Sequence, residues 1–453
     1  MRSKEIESLQ MGGIDMTDVG VEGYQSNNQM NIGKVVIETE QEVMVVNEKL
    51  DDEEKKPSAE TDAVPDGGYG WIVVLGCFIA HIIIGGFERN DGIYYLQFKS
   101  RFEKSAQLTS WPGALVSTIR LFLGPVASAV CSRFSVRSAV IIGSLLMTVA
   151  QILNAYAPDF YFLFFSHSAL QGLGRGLVYA PSVIIAGMYF DKHRGLAAGL
   201  GSSGVGVGTF CIVPLTQWLF DNYGFEGTFL ILGGVALNGL VVAMLYRPLS
   251  LHYKFTRKNS HPQQCVKKDG WFISSLKICF PIENKSQKKS GKKNLFHFSL
   301  LKDSSFFMFC VSIMLFTAAF KAAFTFIPAL VKSKGLTESE AALVLSITGV
   351  FDTIGRIVAG VLFDLRGIRQ LRPVFYNSLI FAIAGISFIL PSMTSFAALS
   401  VLCSVYGSLT GAYISQKSVV IVDILGVQNM SASFGLLVFF QAIGMCVGPP
   451  LSG

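Results

Sequence analysis

Asp352 and Arg356 are the residues whose types and spacing most directly suggest chemistry. They lie four residues apart in an apolar run, so a helix would place both side chains on one face. A charged residue at membrane depth costs about 2.5–3.5 kcal/mol to insert and usually faces a functional cavity. If the pair opens, the planar guanidinium of Arg356 suits a carboxylate. The alternative is a permanent ion pair that braces the helix.

Other ionisable residues also interrupt apolar runs. Arg120 follows Trp111 by nine residues, and Lys321 lies between Phe320 and Phe324. The candidates for proton transfer or for the lining of a cavity are Glu88, Asp91, His81, Arg120, Arg175, Lys321 and Asp423. The alternatives are a snorkelling side chain or an interhelical bridge for each, and for the histidine a packed polar residue.

The elements that must position these residues are membrane helices. Only 15% of the 453 residues are charged and 51% are hydrophobic, whereas about a quarter of a soluble chain is charged. A spanning helix needs ~20 residues. Apolar runs of that length predict an all-α membrane protein with eleven spans, near 70–95, 108–131, 138–157, 159–183, 196–220, 227–246, 304–331, 341–363, 374–391, 396–422 and 431–450.

The two polar segments predict the topology. Residues 1–66 are acidic and poor in aromatic residues, which predicts a disordered tail, with a sorting or docking motif as the alternative. The interval 247–303 contains 13 Lys and Arg residues, and with the short loops the bias is 20 basic residues against 5 on the opposite side. The positive-inside rule therefore predicts a cytoplasmic N-terminus and a cytoplasmic loop 248–303. Because this loop is tethered between apolar helices, we expect no nucleic-acid partner.

Residues 360–369 (GVLFDLRGIR) fit the pattern GxxxDxxGxR and resemble the gating-loop signature of the major facilitator superfamily. We expect Gly360 to permit close helix approach, Gly367 to turn the chain, and Asp364 to pair with Arg366 and Arg369. The alternative is an ordinary charged turn. Six helices, a basic loop and a second set of helices also fit this superfamily, with bundles at 67–247 and 304–453. Such transporters bind substrate between the two halves.

Three stretches resemble the monocarboxylate transporter family. Residues 65–71 (PDGGYGW) are similar to its DGGWGW signature, 189–200 (YFDKHRGLAAGL) to its YFxxRRxLAxGL motif, and 350–356 (VFDTIGR) to its FxDxxxR element. Segments 423–426 and 448–451 are similar to later family segments. The family continues into a twelfth helix, but this chain ends at Gly453, so we expect eleven helices, with the twelfth missing.

The resemblance implies roles for individual residues. Arg356 would anchor a substrate carboxylate, and Asp352 would exchange with it or take a proton. Arg89 lies 18 residues after Trp71, where proton-coupled members carry a lysine. Because arginine stays protonated, Arg89 would be a fixed cation for an anion, and any proton coupling would need Asp352, Glu88 or His81. Arg194 would be a gating or structural residue.

The resemblance implies transport of a small monocarboxylate or a related organic anion or zwitterion by alternating access across the plasma membrane, with proton linkage left open. Family members also carry creatine, carnitine, aromatic amino acids or thyroid hormone, which leaves facilitative transport of such solutes as an alternative. A non-transporting receptor or scaffold is a third reading. No HExxH or GxSxG motif or phosphate loop occurs, so we expect no enzyme activity and no cofactor. The eight cysteines are scattered singly, which argues against a metal site. A single-span ancillary glycoprotein is a candidate partner.

Overall fold

The structure is a computed structural model that describes residues 66–249, 298–336 and 338–452. The predicted tail 1–66, apart from Asp66, and most of loop 248–303 lie outside the described residues. Every regular element within the described ranges is helical.

The N-terminal half, defined here as residues 66–249, contains eight α-helices and one π-helical segment within its described residues. These are α1 (Tyr69–Arg89), α2 (Asp91–Phe102), α3 (Ala106–Phe122), α4 (Gly124–Arg133), α5 (Val136–Ala155), the π segment Phe164–Leu170, α6 (Gln171–Met188), α7 (Arg194–Leu237) and α8 (Gly239–Leu245).

The C-terminal half, defined as residues 298–452, contains six α-helices within its described residues. After a 3₁₀ turn at Phe298–Lys302 come α9 (Ser304–Ser333), α10 (Glu338–Asp364), α11 (Arg366–Arg369), α12 (Arg372–Ile389), α13 (Phe396–Leu425) and α14 (Met430–Ser452).

Each of the eleven predicted spans has a helical counterpart. Eight helical stretches of the described residues are long and apolar enough to cross a membrane, and the bent pair α3–α4 makes a ninth. One of the eight, Arg194–Leu245, is interrupted at Gly224, whose φ of 66° is not helical, and it supplies two spans. The π segment and α6 together supply the remaining one.

Two predicted spans differ from the structure in their bounds. The first span does not run unbroken from 70 to 95, because α1 ends at Arg89 and α2 begins at Asp91. Asn90, between them, is fully buried and donates its side-chain amide to Thr216 Oγ1 at 2.7 Å. The fourth span begins as a π-helix at Phe164 rather than at 159, and α6 runs on to Met188.

The glycines of α7 let it pack between α1 and the C-terminal half. A Cβ at Gly204 would overlap the carbonyl of Phe78 on α1, and a Cβ at Gly199 would overlap the carbonyl of Arg356 on α10. A Cβ at Gly360 would lie 2.8 Å from Gly195 O. The expectation of close helix approach at Gly360 is thus confirmed. The other main contact between the halves is α14 against α3 and α4.

Candidate functional site

The pair Asp352–Arg356 forms on α10 as the spacing predicts. Arg356 Nε donates to Asp352 Oδ2 at 2.9 Å, and Nη2 donates to Oδ1 at 3.3 Å. Both residues are buried, at 4% and 6% exposure. The third guanidinium nitrogen, Nη1, donates to Ser202 O of α7 at 3.4 Å. The pair therefore lies where the two halves meet.

Arg356 lines a central cavity of about 160 Å³ to which both halves contribute. Pockets for drug-sized ligands are larger, at about 300–1,000 Å³, so this one suits a small solute. The lining includes His81 and one carboxylate, and it is rich in cations. The charged lining residues are Glu88, Arg89, Arg120, Lys321, Arg356 and Lys417.

The end of α1 contributes a second ion pair to the cavity. Glu88 accepts a hydrogen bond from Arg120 Nη2 at 2.8 Å. The Arg120 guanidinium also lies 4.9 Å from the centre of the Tyr179 ring, which adds a cation–π contact. Arg89 is exposed and lines the cavity beside them. Its position agrees with the expected role in binding an anion, which stays a prediction.

His81 is buried in the cavity wall. Its Nδ1–H donates to Cys77 O at 2.8 Å, because a carbonyl can only accept. Its ring meets the Tyr179 ring edge to face at 5.7 Å. The backbone contact makes a packed polar residue the simpler reading of His81.

Lys417 of α13 was not among the sequence candidates. Its exposure is 3%, and its Nζ donates to Tyr179 Oη at 3.1 Å and to Gln441 Oε1 at 2.7 Å. The available signal was its position inside the predicted span 396–422, because an ionisable residue within a membrane helix usually faces a cavity or a partner.

A second cavity of about 230 Å³ adjoins the first, since Lys321 lines both. Asp91, at the start of α2, lines this second cavity. Arg175 is fully buried and donates to Phe87 O at 3.4 Å, and it lines neither of these two cavities. Arg175 was expected to line a cavity. It lines neither of these two because it is buried inside the N-terminal half.

A group of charged residues connects the halves near the start of α7 and the end of α10. We call this group the latch: Asp191, Asp364, Arg369, Arg372 and Asp423. Asp364 Oδ1 accepts from Gly195 N at 2.9 Å, and Oδ2 accepts from Leu196 N at 2.7 Å. A carboxylate of the C-terminal half therefore caps the N-terminus of α7. Arg372 bonds both Asp364 and Asp423, each at 3.2 Å.

A second latch pair is more exposed. Arg369 Nη2 donates to Asp191 Oδ2 at 2.8 Å, and the buried Arg194 lies 3.4 Å from Asp191 Oδ1. Burial acts to raise the pKa of Asp191, but the hydrogen bond and charge of Arg369 hold this pKa below its ordinary value. The same hydrogen bond raises the pKa of Arg369. This pair therefore stays charged at neutral pH, and only acid would neutralise Asp191.

Three sequence expectations for this region differ from the structure. Asp364 pairs with Arg372 rather than with Arg366 or Arg369, because Arg372 starts the next long helix directly beside it. The chain turns at Leu365, with φ −63° and ψ 135°, and not at Gly367, whose added Cβ would meet open space. Asp423 contacts Arg372 in the latch instead of lining the central cavity.

Residues 66–71 and 189–193, from the first two motifs, pack together. Asp66 Oδ1 accepts from the backbone amides of Asp191 and Lys192, both at 2.7 Å. The rings of Trp71 and Phe190 lie 4.9 Å apart. The first motif thus holds the loop that presents Asp191 to the latch. No spacing in the sequence indicates this contact.

The family assignment follows from comparison with known proteins. The Major Facilitator Superfamily model matches residues 73–449. Mouse monocarboxylate transporter 12 is 30% identical over 393 residues, which cover 86% of this chain and 80% of that protein. The chain belongs to the monocarboxylate transporter family. Human monocarboxylate transporter 14 is also 30% identical, over 436 residues, with 86% of this chain and 85% of that protein covered.

The crystal structure of the human organic anion transporter MFSD10 (TETRAN) has the same fold. Its TM-score is 0.61, at 11% identity, and the match covers 85% of this chain and 93% of that chain. Fold and family together make this protein a multi-pass membrane transporter of organic substrates.

Proposed function

We propose that the transporter carries a small monocarboxylate, or a related organic anion or zwitterion, and that Arg356 binds its carboxylate. The observation that carries this proposal is the buried two-bond pair between Arg356 and Asp352 in the wall of the central cavity. A substrate carboxylate offers the guanidinium the same planar pair of acceptors as Asp352. It could therefore replace Asp352 without leaving Arg356 uncompensated.

The arrangement of latch and cavities supports the proposal of alternating access. The latch joins the halves at one end of the helices, where Asp364 bonds the start of α7. The second cavity lies toward the opposite end, beside the start of α2. We therefore assign this conformation to the state whose latch side is closed, in which solute enters through the second cavity. Opening of the latch would release solute on its side.

The latch side is the cytoplasmic side in our proposal. The basic interval 247–303 predicts this orientation, and the family suggests the plasma membrane as the location. An epitope inserted beside Lys289, which lies outside the described residues, is expected to bind antibody only after permeabilisation of expressing cells. An epitope after Lys104, in the loop between α2 and α3, is the matched control and should be stained on intact cells. Staining of the Lys289 epitope on intact cells would show that the opposite orientation is correct.

Energy coupling depends on the cation at residue 89 in our proposal. Arg89 keeps its charge in any environment, whereas a lysine in an apolar cavity can lose its proton. We propose that transport is facilitative, or uses another gradient, with Arg89 as a fixed cation. If protons are coupled instead, Asp352, Glu88 or His81 must carry them. Creatine, carnitine and aromatic amino acids are alternative solutes, because the cavity offers the carboxylate of Glu88 as well as cations.

One uptake experiment tests both substrate class and coupling. Cells expressing the transporter would receive labelled monocarboxylates, creatine, carnitine and amino acids at external pH 6 and 7.5, at matched membrane potential. We expect saturable uptake of carboxylate-bearing solutes that changes less than about twofold between these pH values, since the guanidinium does not titrate there. Arg89→Lys should increase the pH dependence. A steep rise of uptake at acid pH in the unmodified protein would contradict the role of Arg89, and absence of uptake of every solute would favour a receptor or scaffold.

A further inference from the structure

Lys417 differs in its partners from Arg120 and Arg356, two other cations of the central cavity. Arg120 bonds the carboxylate of Glu88, and Arg356 bonds that of Asp352. The hydrogen-bond partners of Lys417 among the described residues are the neutral oxygens of Tyr179 and Gln441. The Lys417 ammonium also lies 5.6 Å from the ring centres of Tyr179 and Phe434. These contacts hold the cation in place but do not neutralise it.

The cavity lining contains more cations than carboxylates. Two of its cations, Arg120 and Arg356, bond carboxylates, whereas the described hydrogen-bond partners of Lys417 are uncharged. A buried cation without a carboxylate is costly, and such residues at membrane depth usually serve ligands. One substrate carboxylate at Arg356 would leave Lys417 uncompensated.

Lys417 and Arg356 lie at similar depth. Arg356 precedes Asp364 by eight residues and Lys417 precedes Asp423 by six, which places them about 12 Å and about 9 Å along their helices from the latch. Arg372 bonds both of these aspartates, so the two helix ends are level with each other. Helices α10 and α13 also pack against each other. The two cations thus face one small cavity from neighbouring helices.

We propose that Lys417 is a second anion anchor and that the preferred solute is a short organic dianion, with one carboxylate on Arg356 and a second anionic group on Lys417. This rests on the proposed function, since it assigns the substrate class of the same cavity. Tyr179 and Gln441 are positioning residues that keep the ammonium pointed into the cavity. The ring of Tyr179 also lies against the Arg120 guanidinium, so Tyr179 contacts both Arg120 and Lys417.

The competing role for Lys417 is a tether. Its bond to Tyr179 joins α13 to α6, and therefore joins the two halves. A tether would affect every solute equally, because it changes the equilibrium between conformations and not the recognition of a second charge. A dianion anchor would change the ratio between a dianion and a monoanion of the same length.

Succinate and butyrate are the probes, because both have four carbons and they differ by one carboxylate. Purified transporter is reconstituted into phosphatidylcholine vesicles, and the uptake of each labelled acid is measured at neutral pH, where both acids are ionised. We expect succinate to be taken up with a lower KM than butyrate. Lys417→Gln should lower the ratio of the kcat/KM values, succinate over butyrate, by about tenfold or more, as expected for the loss of a hydrogen bond to a charged group. Lys417→Arg, which keeps the charge, should retain a preference for succinate.

Both acids are measured with the same protein preparation. A folding defect therefore lowers both uptake rates equally and leaves the ratio of succinate to butyrate unchanged. Tyr179→Phe removes the hydroxyl of the tether and keeps the ring, and it should change the ratio much less than Lys417→Gln. Equal effects of Lys417→Gln on both acids, or a preference for butyrate in the unmodified protein, would overturn the dianion proposal and leave the monocarboxylate proposal in place. Absence of saturable uptake of either acid would overturn both.

Discussion

Replacement of Arg356 by alanine is expected to lower carboxylate uptake by at least about 30-fold. Removal of one partner of a buried, hydrogen-bonded charge pair costs about 2–5 kcal/mol, and each 1.4 kcal/mol is about tenfold in affinity. Arg356 has this character, because it is 6% exposed and forms two bonds to Asp352 and a third to Ser202 O. The measurement is initial uptake rate of labelled substrate, normalised to transporter at the cell surface.

A second variant separates recognition from folding. Arg356→Ala leaves Asp352 buried without its partner, which by itself can destabilise the helix bundle. The double variant Arg356→Gln with Asp352→Asn removes both charges and keeps an uncharged hydrogen-bonding pair of similar size. We expect this variant to reach the surface at near-normal levels and still fail to transport carboxylates. Normal uptake by the double variant would show that the pair only braces α10.

The fold was predictable because hydrophobic length alone sets it. Each apolar run of about 20 residues must become a helix to satisfy its backbone in lipid. The i,i+4 geometry of Asp352 and Arg356 was predictable for the same local reason, and the structure confirms that they pair. Their roles in transport stay predictions. Helix breaks were harder to predict from the sequence, because the interruption at Asn90 depends on a hydrogen bond to Thr216, 126 residues away.

The sequence pattern did not predict the contacts between the halves. The pattern GxxxDxxGxR suggested local partners for Asp364, but the structure pairs it with Arg372 and with the amides that begin α7, 168 and 169 residues earlier. Lys417 was missed because its hydrogen-bond partners among the described residues, Tyr179 and Gln441, are distant in sequence. Charge alone indicated that these residues needed partners. Only the packing of the helices against one another determines which partners they have.

The expected effect of Asp364→Ala on the latch follows from that long-range cap. Asp364 is the acceptor for two amides at the start of α7, and loss of such a cap costs about 0.5–2 kcal/mol. The substitution also removes one of the two carboxylates that Arg372 bonds. Loss of the cap destabilises only the latch-closed state, because an open latch separates Asp364 from α7, whereas the pair with Arg372 lies within the C-terminal half. We expect the equilibrium to shift toward the latch-open state by about tenfold, which corresponds to about 1.4 kcal/mol.

Spin labels at Lys192→Cys and Arg366→Cys, on exposed positions of opposite halves, would report this shift as a longer distance by pulsed electron resonance in a cysteine-depleted background. Asp364→Asn keeps an acceptor for one amide without the charge, so its shift should be intermediate. Arg369→Gln is the matched control, because its exposed pair with Asp191 is worth about 0–1 kcal/mol at most, and its shift should stay below about fivefold. Equal shifts in Asp364→Ala and Arg369→Gln would mean that general charge attraction closes the latch. A distance unchanged in Asp364→Ala would mean that the glycine contact between Gly195 and Gly360 is sufficient to hold it closed.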